Sequence, residues 1–171
     1  MQNIIDVNTG DVKVSCGGEV LRSLALGSCI AVVAYDPASG AGGIAHIMLP
    51  GMAPENARLS GTFYAEDAIS NMLELFSEAG TDTGNLEVFL VGAANVLKRH
   101  DDTICEANIN SVLKIMDEKG INVVSSFLGG TERKRVYLDT SSGSVFCSQG
   151  DDSDMITLRG PGQNADFVSY I

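Results

Sequence analysis

The chain has 171 residues, of which 44% are hydrophobic and 19% are charged. This length and composition predict one globular domain with its own core rather than a disordered chain. The 22 acidic and 11 basic residues give a net charge of −11, which argues against nucleic-acid binding and against docking on an anionic membrane. The sequence also lacks an apolar run of membrane-spanning length and a signal-peptide pattern, so we expect a cytoplasmic protein without membrane insertion.

The first 50 residues predict mainly antiparallel β structure. Short apolar runs at 12–15 and 19–26 flank Gly17-Gly18, which predicts a hairpin. Nearly continuous apolar runs at 29–35 and 43–49 are typical of buried strands, and a polar turn separates them.

Two amphipathic helices are predicted in the middle of the chain. Apolar residues recur at helical spacing through 64–79. Thr103-x-x-Glu106 predicts a capping box that opens a second helix, with an apolar face that includes Leu113 and an end at Gly120. Further strands are expected at 86–91, 121–127, 136–138 and 145–147, the last two as a closing hairpin. This order predicts an α+β fold of packed sheets with helices outside.

The segment after Ser148 differs in composition from the rest of the chain. We assign residues 1–148 to a single domain and residues 149–171 to a tail that is mobile or weakly docked. Acidic residues precede a glycine-proline turn within this tail: Asp151, Asp152, Asp154 and then Gly160-Pro161-Gly162. The apolar end, Phe167 to Ile171, could add to a sheet edge or bind a partner.

Cys29 is the strongest candidate for a nucleophile among the four cysteines. The small residues Gly27 and Ser28 precede it, and they leave room for a substrate carbonyl and for backbone N–H groups that bind an oxyanion. No C-x-x-C pair occurs, so we expect free thiols and no structural zinc site. The other three cysteines are interpreted as packing residues: Cys16, Cys105 and Cys147.

A thiol of ordinary pKa needs a base, and His46 is the natural candidate. It lies in the next predicted strand, so antiparallel pairing would bring it toward Cys29. Ser23, six residues before Cys29 on the preceding strand, is the candidate that orients the imidazole. The second histidine, His100, lies in a polar run and is expected to be solvated. The structural alternatives are a packed cysteine, a satisfied core histidine and an ordinary strand serine.

Two further features carry less chemical information. Residues 128–131 are glycine-rich but lead toward a strand, which predicts a tight turn near the site rather than a phosphate cradle. The one basic cluster, Arg133-Lys134-Arg135, predicts a solvated face that could also guide an acidic partner.

Several motifs in order along the chain carry a family resemblance. Leu26-Gly27-Ser28-Cys29 is followed after seventeen residues by His46, and then by Met48-Leu49-Pro50. The later motifs are Tyr64-Ala65, Gly92-Ala93 with Asn95, Ile104-x-Glu106-x-Asn108, and Leu128-Gly129-Gly130-Thr131 with Arg135-Val136-Tyr137. Across roughly residues 5–147 the chain resembles the chemoreceptor glutamine deamidase family, CheD, of bacterial and archaeal chemotaxis.

The resemblance implies a fold and a reaction. The fold would be similar to that of cytotoxic necrotizing factor-type cysteine hydrolases, a β-sandwich of mixed or antiparallel sheets in α/β/β/α layers. The reaction would convert glutamines on the cytoplasmic helices of chemoreceptors to glutamate and ammonia, and some members also hydrolyse glutamyl methyl esters. Cys29 would be the nucleophile and His46 the base and acid. Ser23 would orient the imidazole where the family commonly has threonine, and no cofactor or metal would be needed.

Two alternatives remain open. Family members also pair with the CheC phosphatase, so the chain could be a non-catalytic adaptor for CheC or receptors; the presence of both Cys29 and His46 favours the enzyme. A cysteine hydrolase with another protein substrate would share the same residues and differ only in its target.

Overall fold

The computed structural model describes residues 1–151 and 154–163 and the backbone of 168–170. These residues form two α-helices, α1 (Ala65–Glu78) and α2 (Ile104–Glu118). Eleven strands accompany them: β1 (Asn3–Asp6), β2 (Val12–Ser15), β3 (Glu19–Leu26), β4 (Ile30–Tyr35), β5 (Gly42–Ile47), β6 (Glu87–Gly92), β7 (Val123–Leu128), β8 (Lys134–Asp139), β9 (Ser144–Gln149), β10 (Ile156–Arg159) and β11 (Val168–Tyr170). Within this part of the chain, neither helix is long and apolar enough to cross a membrane.

The strands form two sheets that pack face to face. One sheet has the order β1-β3-β8-β9-β10, and the other has the order β11-β7-β6-β4-β5-β2. Both are mixed, because β1 runs parallel to β3 and β6 runs parallel to β7 while their other neighbours include antiparallel pairs. A core between the sheets contains Leu21 and Val136 from the first sheet and Val33 and Phe89 from the second. The expected α+β fold of packed sheets is confirmed.

Both helices cover the outer face of the six-stranded sheet. A second core joins Ile69 of α1 and Met116 of α2 to Val32 and Leu90 of that sheet. The layers in the described residues are therefore α/β/β, and the expected α/β/β/α order is wrong. The strands β5, β6 and β7 are parallel to one another. Helix α1 connects β5 to β6 and α2 connects β6 to β7, so both connections step toward the same edge of the sheet. Two crossover connections of the same handedness that step in the same direction along a sheet place their helices on the same face of that sheet.

The expected hairpin between residues 12–15 and 19–26 is also wrong, although both strands form. β2 pairs with β5 in the six-stranded sheet, whereas β3 pairs with β8 and β1 in the five-stranded sheet. Gly17 and Gly18 have φ values of 120° and 95°, which glycine adopts without steric cost. They carry the chain from one sheet to the other instead of reversing it within one sheet.

Helix α1 lies within one residue of its predicted bounds, whereas α2 differs in its cap and its buried face. The Thr103 side chain makes no capping hydrogen bond. The Asp102 carboxylate instead accepts a hydrogen bond from the backbone N–H of Cys105 at 3.3 Å. Leu113, which was expected in the core, is 43% exposed, and Asn108 is fully buried. The buried polar side chain faces the chain segments that carry Cys29 and His46.

The segment after residue 148 contributes two edge strands. β10 pairs with β9, and the buried Arg159 guanidinium donates to the Glu87 carboxylate at 2.6 Å. These contacts hold residues 156–159 against β9 and Glu87. β11 pairs with β7, so residues 168–170 add to a sheet edge, which is one of the two possibilities that the sequence left open. The division into a domain of residues 1–148 and a tail of 149–171 stays a prediction, and three residues named with the tail lie outside the described part: Asp152, Phe167 and Ile171.

Candidate active site

The candidate nucleophile lies at one end of the six-stranded sheet. Cys29 immediately precedes β4 and is half-buried. The antiparallel register pairs Ala31 of β4 with His46 of β5. Cys29 stands two residues before Ala31, so its side chain projects from the same face of the sheet as His46 and lies diagonal to it. The strand register thus brings the two residues together, as the sequence pattern predicts.

The His46 imidazole is held from the opposite sheet. His46 is 2% exposed, and its Nδ1 lies 2.7 Å from the hydroxyl oxygen of Ser23, which is fully buried. Ser23 belongs to β3 in the five-stranded sheet, so the contact crosses the space between the sheets. The contact exists because β3 does not form the expected hairpin with β2. The side chains of Ser23 and His46 therefore come together only when the two sheets pack.

The carbonyl oxygen of Val7 fixes the position of the imidazole proton. The Ser23 hydroxyl donates to this oxygen at 2.9 Å, and His46 Nδ1 lies 3.2 Å from it. A carbonyl can only accept, so a Ser23 hydroxyl that donates to Val7 must accept from an N–H at Nδ1. The neutral imidazole is therefore protonated at Nδ1, and Nε2 carries the lone pair that a general base needs. The sequence pattern did not identify Val7, since a backbone acceptor leaves no trace in residue types.

Thr9 is a second group near the candidate pair that the sequence pattern did not identify. It lies in the turn between β1 and β2, and its hydroxyl oxygen is 3.4 Å from His46 Nε2. The same hydroxyl lowers the pKa of the Cys29 thiol, against the larger effect of burial. A single exposed threonine in a turn has no sequence signature that separates it from any other surface threonine.

Burial holds both members of the candidate pair in their neutral forms. Desolvation raises the pKa of the Cys29 thiol, and hydrogen bonds from Thr9 and from the backbone of Cys29 lower it in part. Desolvation lowers the pKa of His46, against smaller effects of the Val7 carbonyl and the Asp11 charge. At rest the pair is therefore a thiol and a neutral imidazole.

The backbone N–H groups just before Cys29 have no hydrogen-bond partner in the described part of the chain. The carbonyl groups of Gly27 and Cys29 accept hydrogen bonds, both at 2.7 Å, from the backbone N–H groups of Ala94 and Ala93. In the described part of the chain, the N–H groups of Gly27, Ser28 and Cys29 donate to no other residue. The N–H groups of Gly27 and Ser28 are therefore unpaired, and their role in binding an oxyanion stays a prediction.

An open cleft of about 350 Å³ runs beside Cys29. Its walls combine the small residues before Cys29 with a largely apolar rim and three charged side chains. The lining residues are Ala25, Gly27, Ser28, Cys29, Ala94, Asn95, Val96, Leu97, Arg99, Asp102, Ile104, Cys105 and Arg133. Leu97 is 78% exposed at the rim, which gives an approaching chain an apolar contact next to the thiol. The cleft can admit an extended side chain from a protein surface.

The remaining sequence candidates lie in varied surroundings. His100 is exposed as expected, but Lys134 is 1% exposed and donates to the Gly129 carbonyl, so the basic cluster is not wholly a solvated face. Cys105 and Cys147 are buried, and burial raises the pKa of each to about 12. Cys16 is exposed and does not pack in a core. Among the described residues, no three side chains of His, Cys, Asp or Glu are grouped to hold a metal ion.

Comparison with known proteins identifies relatives over most of the chain. Residues 48–149 match the model of the CheD family, described as CheD chemotactic sensory transduction; this match begins two residues after His46. A protein of Chlorobium luteolum named probable chemoreceptor glutamine deamidase CheD is 38% identical over 85% of this chain and 73% of its own length. A protein of the same name from Archaeoglobus fulgidus is 33% identical over 85% of this chain and 93% of its own length.

A third relative and a solved structure complete the comparison. The Haloarcula marismortui protein, also named probable chemoreceptor glutamine deamidase CheD, is 30% identical over 90% of this chain and 89% of its own length. The solved structure of the Bacillus licheniformis hypothetical protein YfiH is 18% identical, with a TM-score of 0.38, over 68% of this chain and 46% of its own. The family match over more than half of the chain and the identities to these curated relatives show that the chain belongs to the CheD family.

Proposed function

We propose that this protein hydrolyses the side-chain amides of specific glutamines on the cytoplasmic helices of chemoreceptors. The observation that carries the proposal is the 2.7 Å contact of Ser23 with His46 Nδ1, on the sheet face that also carries Cys29. An adaptor would need no buried histidine with a fixed tautomer beside a thiol. The names of the relatives, probable chemoreceptor glutamine deamidase, support the substrate class.

The proposed reaction starts from the neutral thiol and imidazole. His46 Nε2 takes the thiol proton as Cys29 Sγ attacks the carbonyl carbon of the glutamine amide. Free N–H groups at Gly27 to Cys29 bind the oxyanion of the tetrahedral intermediate. The carbon–nitrogen bond then breaks, and the Nε2 proton leaves with the nitrogen as ammonia. The product at this point is a thioester between Cys29 and the substrate.

Water completes the cycle by hydrolysing the thioester. His46 Nε2 accepts a proton from the water, whose oxygen attacks the thioester carbonyl, and the carbon–sulfur bond breaks. The thiol regains its proton from Nε2, and the substrate leaves as glutamate. Ser23 and the Val7 carbonyl hold the imidazole in one tautomer throughout. A glutamyl methyl ester would follow the same route with methanol in place of ammonia.

The surface around the cleft suits a protein substrate that arrives through local contacts. With a net charge of −11, the molecule does not attract acidic receptor helices over long distances. The apolar rim at Leu97 and Ile104 and the basic side chains of Arg99 and Arg133 provide the local contacts. Because the substrate helices lie in the cytoplasm, we place the reaction there. Association with the CheC phosphatase is a further proposal that rests on the family alone.

Mass spectrometry of a chemoreceptor cytoplasmic fragment tests the proposal. The fragment is incubated with wild type, with Cys29→Ala and with Cys16→Ala, which removes an exposed thiol away from the cleft. We expect wild type and Cys16→Ala to convert specific glutamines to glutamate with release of equal ammonia, and Cys29→Ala to do neither. Binding of the fragment without conversion would support an adaptor. The absence of both would point to a cysteine hydrolase with another substrate.

A further inference from the structure

The main chain of the β1–β2 turn holds Thr9 beside the edge of β5. The N–H of Gly10 donates to the His46 carbonyl at 2.8 Å, and the N–H of His46 donates to the Asp11 carbonyl at 3.0 Å. Gly10 has a φ of 84° and packs under the ring of Phe63, where a Cβ atom would collide with the ring. The turn is thus hydrogen-bonded to both the N–H and the carbonyl group of His46, which carries the proposed base. Thr9 directly precedes Gly10, so the same contacts fix the position of the Thr9 backbone.

The Thr9 hydroxyl lies beside the proposed base of the site. Its oxygen is 3.4 Å from His46 Nε2, and Cys29 projects from the same sheet face as His46. The hydroxyl also lowers the pKa of the Cys29 thiol. A threonine hydroxyl carries one proton to donate. The Val7 carbonyl and Ser23 place the imidazole proton at Nδ1, so Nε2 is an acceptor at rest. The thiolate becomes the stronger acceptor once the Cys29 proton has moved to Nε2.

We propose that Thr9 is a catalytic residue whose hydroxyl hydrogen bond follows the negative charge. In the resting enzyme Thr9 donates to His46 Nε2. When Nε2 takes the thiol proton, Nε2 becomes a donor and the Thr9 hydroxyl turns to donate to Cys29 Sγ. No bond of Thr9 breaks in this step, because only the direction of its O–H changes. The role in turnover rests on the proposed amide hydrolysis, whereas the role in forming the thiolate does not.

Because the Cys29–His46 pair is partly or fully buried, a hydrogen-bond donor beside the thiol favours formation of the thiolate. Desolvation opposes both the thiolate and the imidazolium, and the hydrogen bond from Thr9 opposes this effect at the thiol. The charged side chains that line the cleft beside Cys29 are Arg99, Asp102 and Arg133, and none of them contributes to the pKa shift of Cys29. The charge of Asp11 acts on His46, and Cys105, with a pKa of about 12, is neutral. Loss of a hydrogen bond to a charged group should change thiolate formation roughly tenfold, or about one pKa unit.

The test compares Thr9→Val, which keeps the shape and loses the hydroxyl, with Thr9→Ser, which keeps the hydroxyl. Thr157→Val serves as the control, because Thr157 is also exposed and lies in β10, outside the cleft. The rate of Cys29 alkylation by iodoacetamide is measured against pH, with the labelled cysteine identified by peptide mass mapping. The same variants are assayed for kcat and KM on the receptor fragment, and thermal melts check their folding.

We expect Thr9→Val to raise the apparent pKa of Cys29 alkylation by about one unit and to lower kcat roughly tenfold. Thr9→Ser and Thr157→Val should match wild type in both measurements. An alkylation profile of Thr9→Val equal to that of wild type would overturn the proposal, whatever the turnover. If the alkylation profile of Thr9→Val is shifted but the wild-type protein deamidates no receptor fragment, Thr9 still donates to the thiolate. The proposed function would then be wrong.

Discussion

The side-chain amide of Asn108 ties together the two segments that carry Cys29 and His46. Its Nδ2 donates to the Ser28 carbonyl at 2.9 Å and to the Met48 carbonyl at 3.1 Å. Ser28 directly precedes Cys29, so the bond also sets the plane of the peptide that joins Ser28 to Cys29. The Asn108 side chain is fully buried, and its Oδ1 is the buried side-chain atom without a hydrogen-bond partner in the described part of the chain.

The Asn108→Ala variant should fold but react slowly. Two carbonyl acceptors lose their donor, which lowers the free energy of unfolding by about 1–3 kcal/mol each. Removal of the unpartnered Oδ1 abolishes one existing penalty of the same kind and so restores about 1–3 kcal/mol. The net cost of about 1–3 kcal/mol is well below the roughly 5–15 kcal/mol stability of a typical domain. A domain of this size then melts roughly 2–4 °C lower per kcal/mol. Release of both segments misplaces the thiol relative to the base, and a shift of about 1 Å can cost roughly 100-fold in rate.

Melting curves and steady-state kinetics of Asn108→Ala separate the two effects. The matched control is Asn110→Ala, because Asn110 lies on the same helix but is exposed. We expect Asn108→Ala to lose kcat with little change in KM, since the cleft that binds the substrate keeps its rim. We expect Asn110→Ala to behave as wild type. A lower melting temperature with an unchanged kcat would refute the reasoning, because Asn108 would then support the fold and not the geometry of the site.

Two further predictions concern Gly92 and His46. Gly92 has a φ of 125°, and a Cβ atom there would collide with the Cys29 carbonyl oxygen; Gly92→Ala should therefore lower both the melting temperature and kcat. Gly120→Ala, which adds a Cβ in open space at a φ of 65°, should lower only the melting temperature, and equal effects on kcat would contradict the reasoning. Burial lowers the pKa of His46 below its ordinary value of 6.5. Below that pH the unfolded chain therefore binds a proton at His46 more readily than the folded protein does. Stability should fall as the pH drops below this value, and thermal melts of His46→Gln should show a weaker pH dependence unless the imidazole does not titrate.

Local patterns predicted the elements that depend on neighbours along the chain. The apolar run of β4 is wholly buried, and the helical spacing of α1 places Ile69 and Phe76 in the core. The short turn between β4 and β5 made their antiparallel pairing predictable, and with it the approach of Cys29 to His46. These features follow from spacing in the sequence, because each joins residues that are close along the chain.

Contacts between distant segments could not be predicted in this way. β1 carries no strand pattern, since three of its four residues are exposed, and it forms by pairing with β3. Thr9 and the Val7 carbonyl reach the site only because β1 and its following turn lie there. Asn108 looks like a surface residue in the sequence, and its burial depends on carbonyl groups at the ends of β4 and β5.

The division of the site between two sheets links its chemistry to the packing of the whole domain. Cys29 and His46 are fixed by the six-stranded sheet, whereas Ser23 belongs to the five-stranded sheet. If the sheets separate, the imidazole loses the contact that sets its tautomer, and water enters the space that holds the pair neutral. The thiol then no longer faces an imidazole with a lone pair at Nε2, the arrangement on which the proposed reaction depends. An intact core between the sheets is therefore a condition of activity as well as of stability, which places the reaction only in the folded protein.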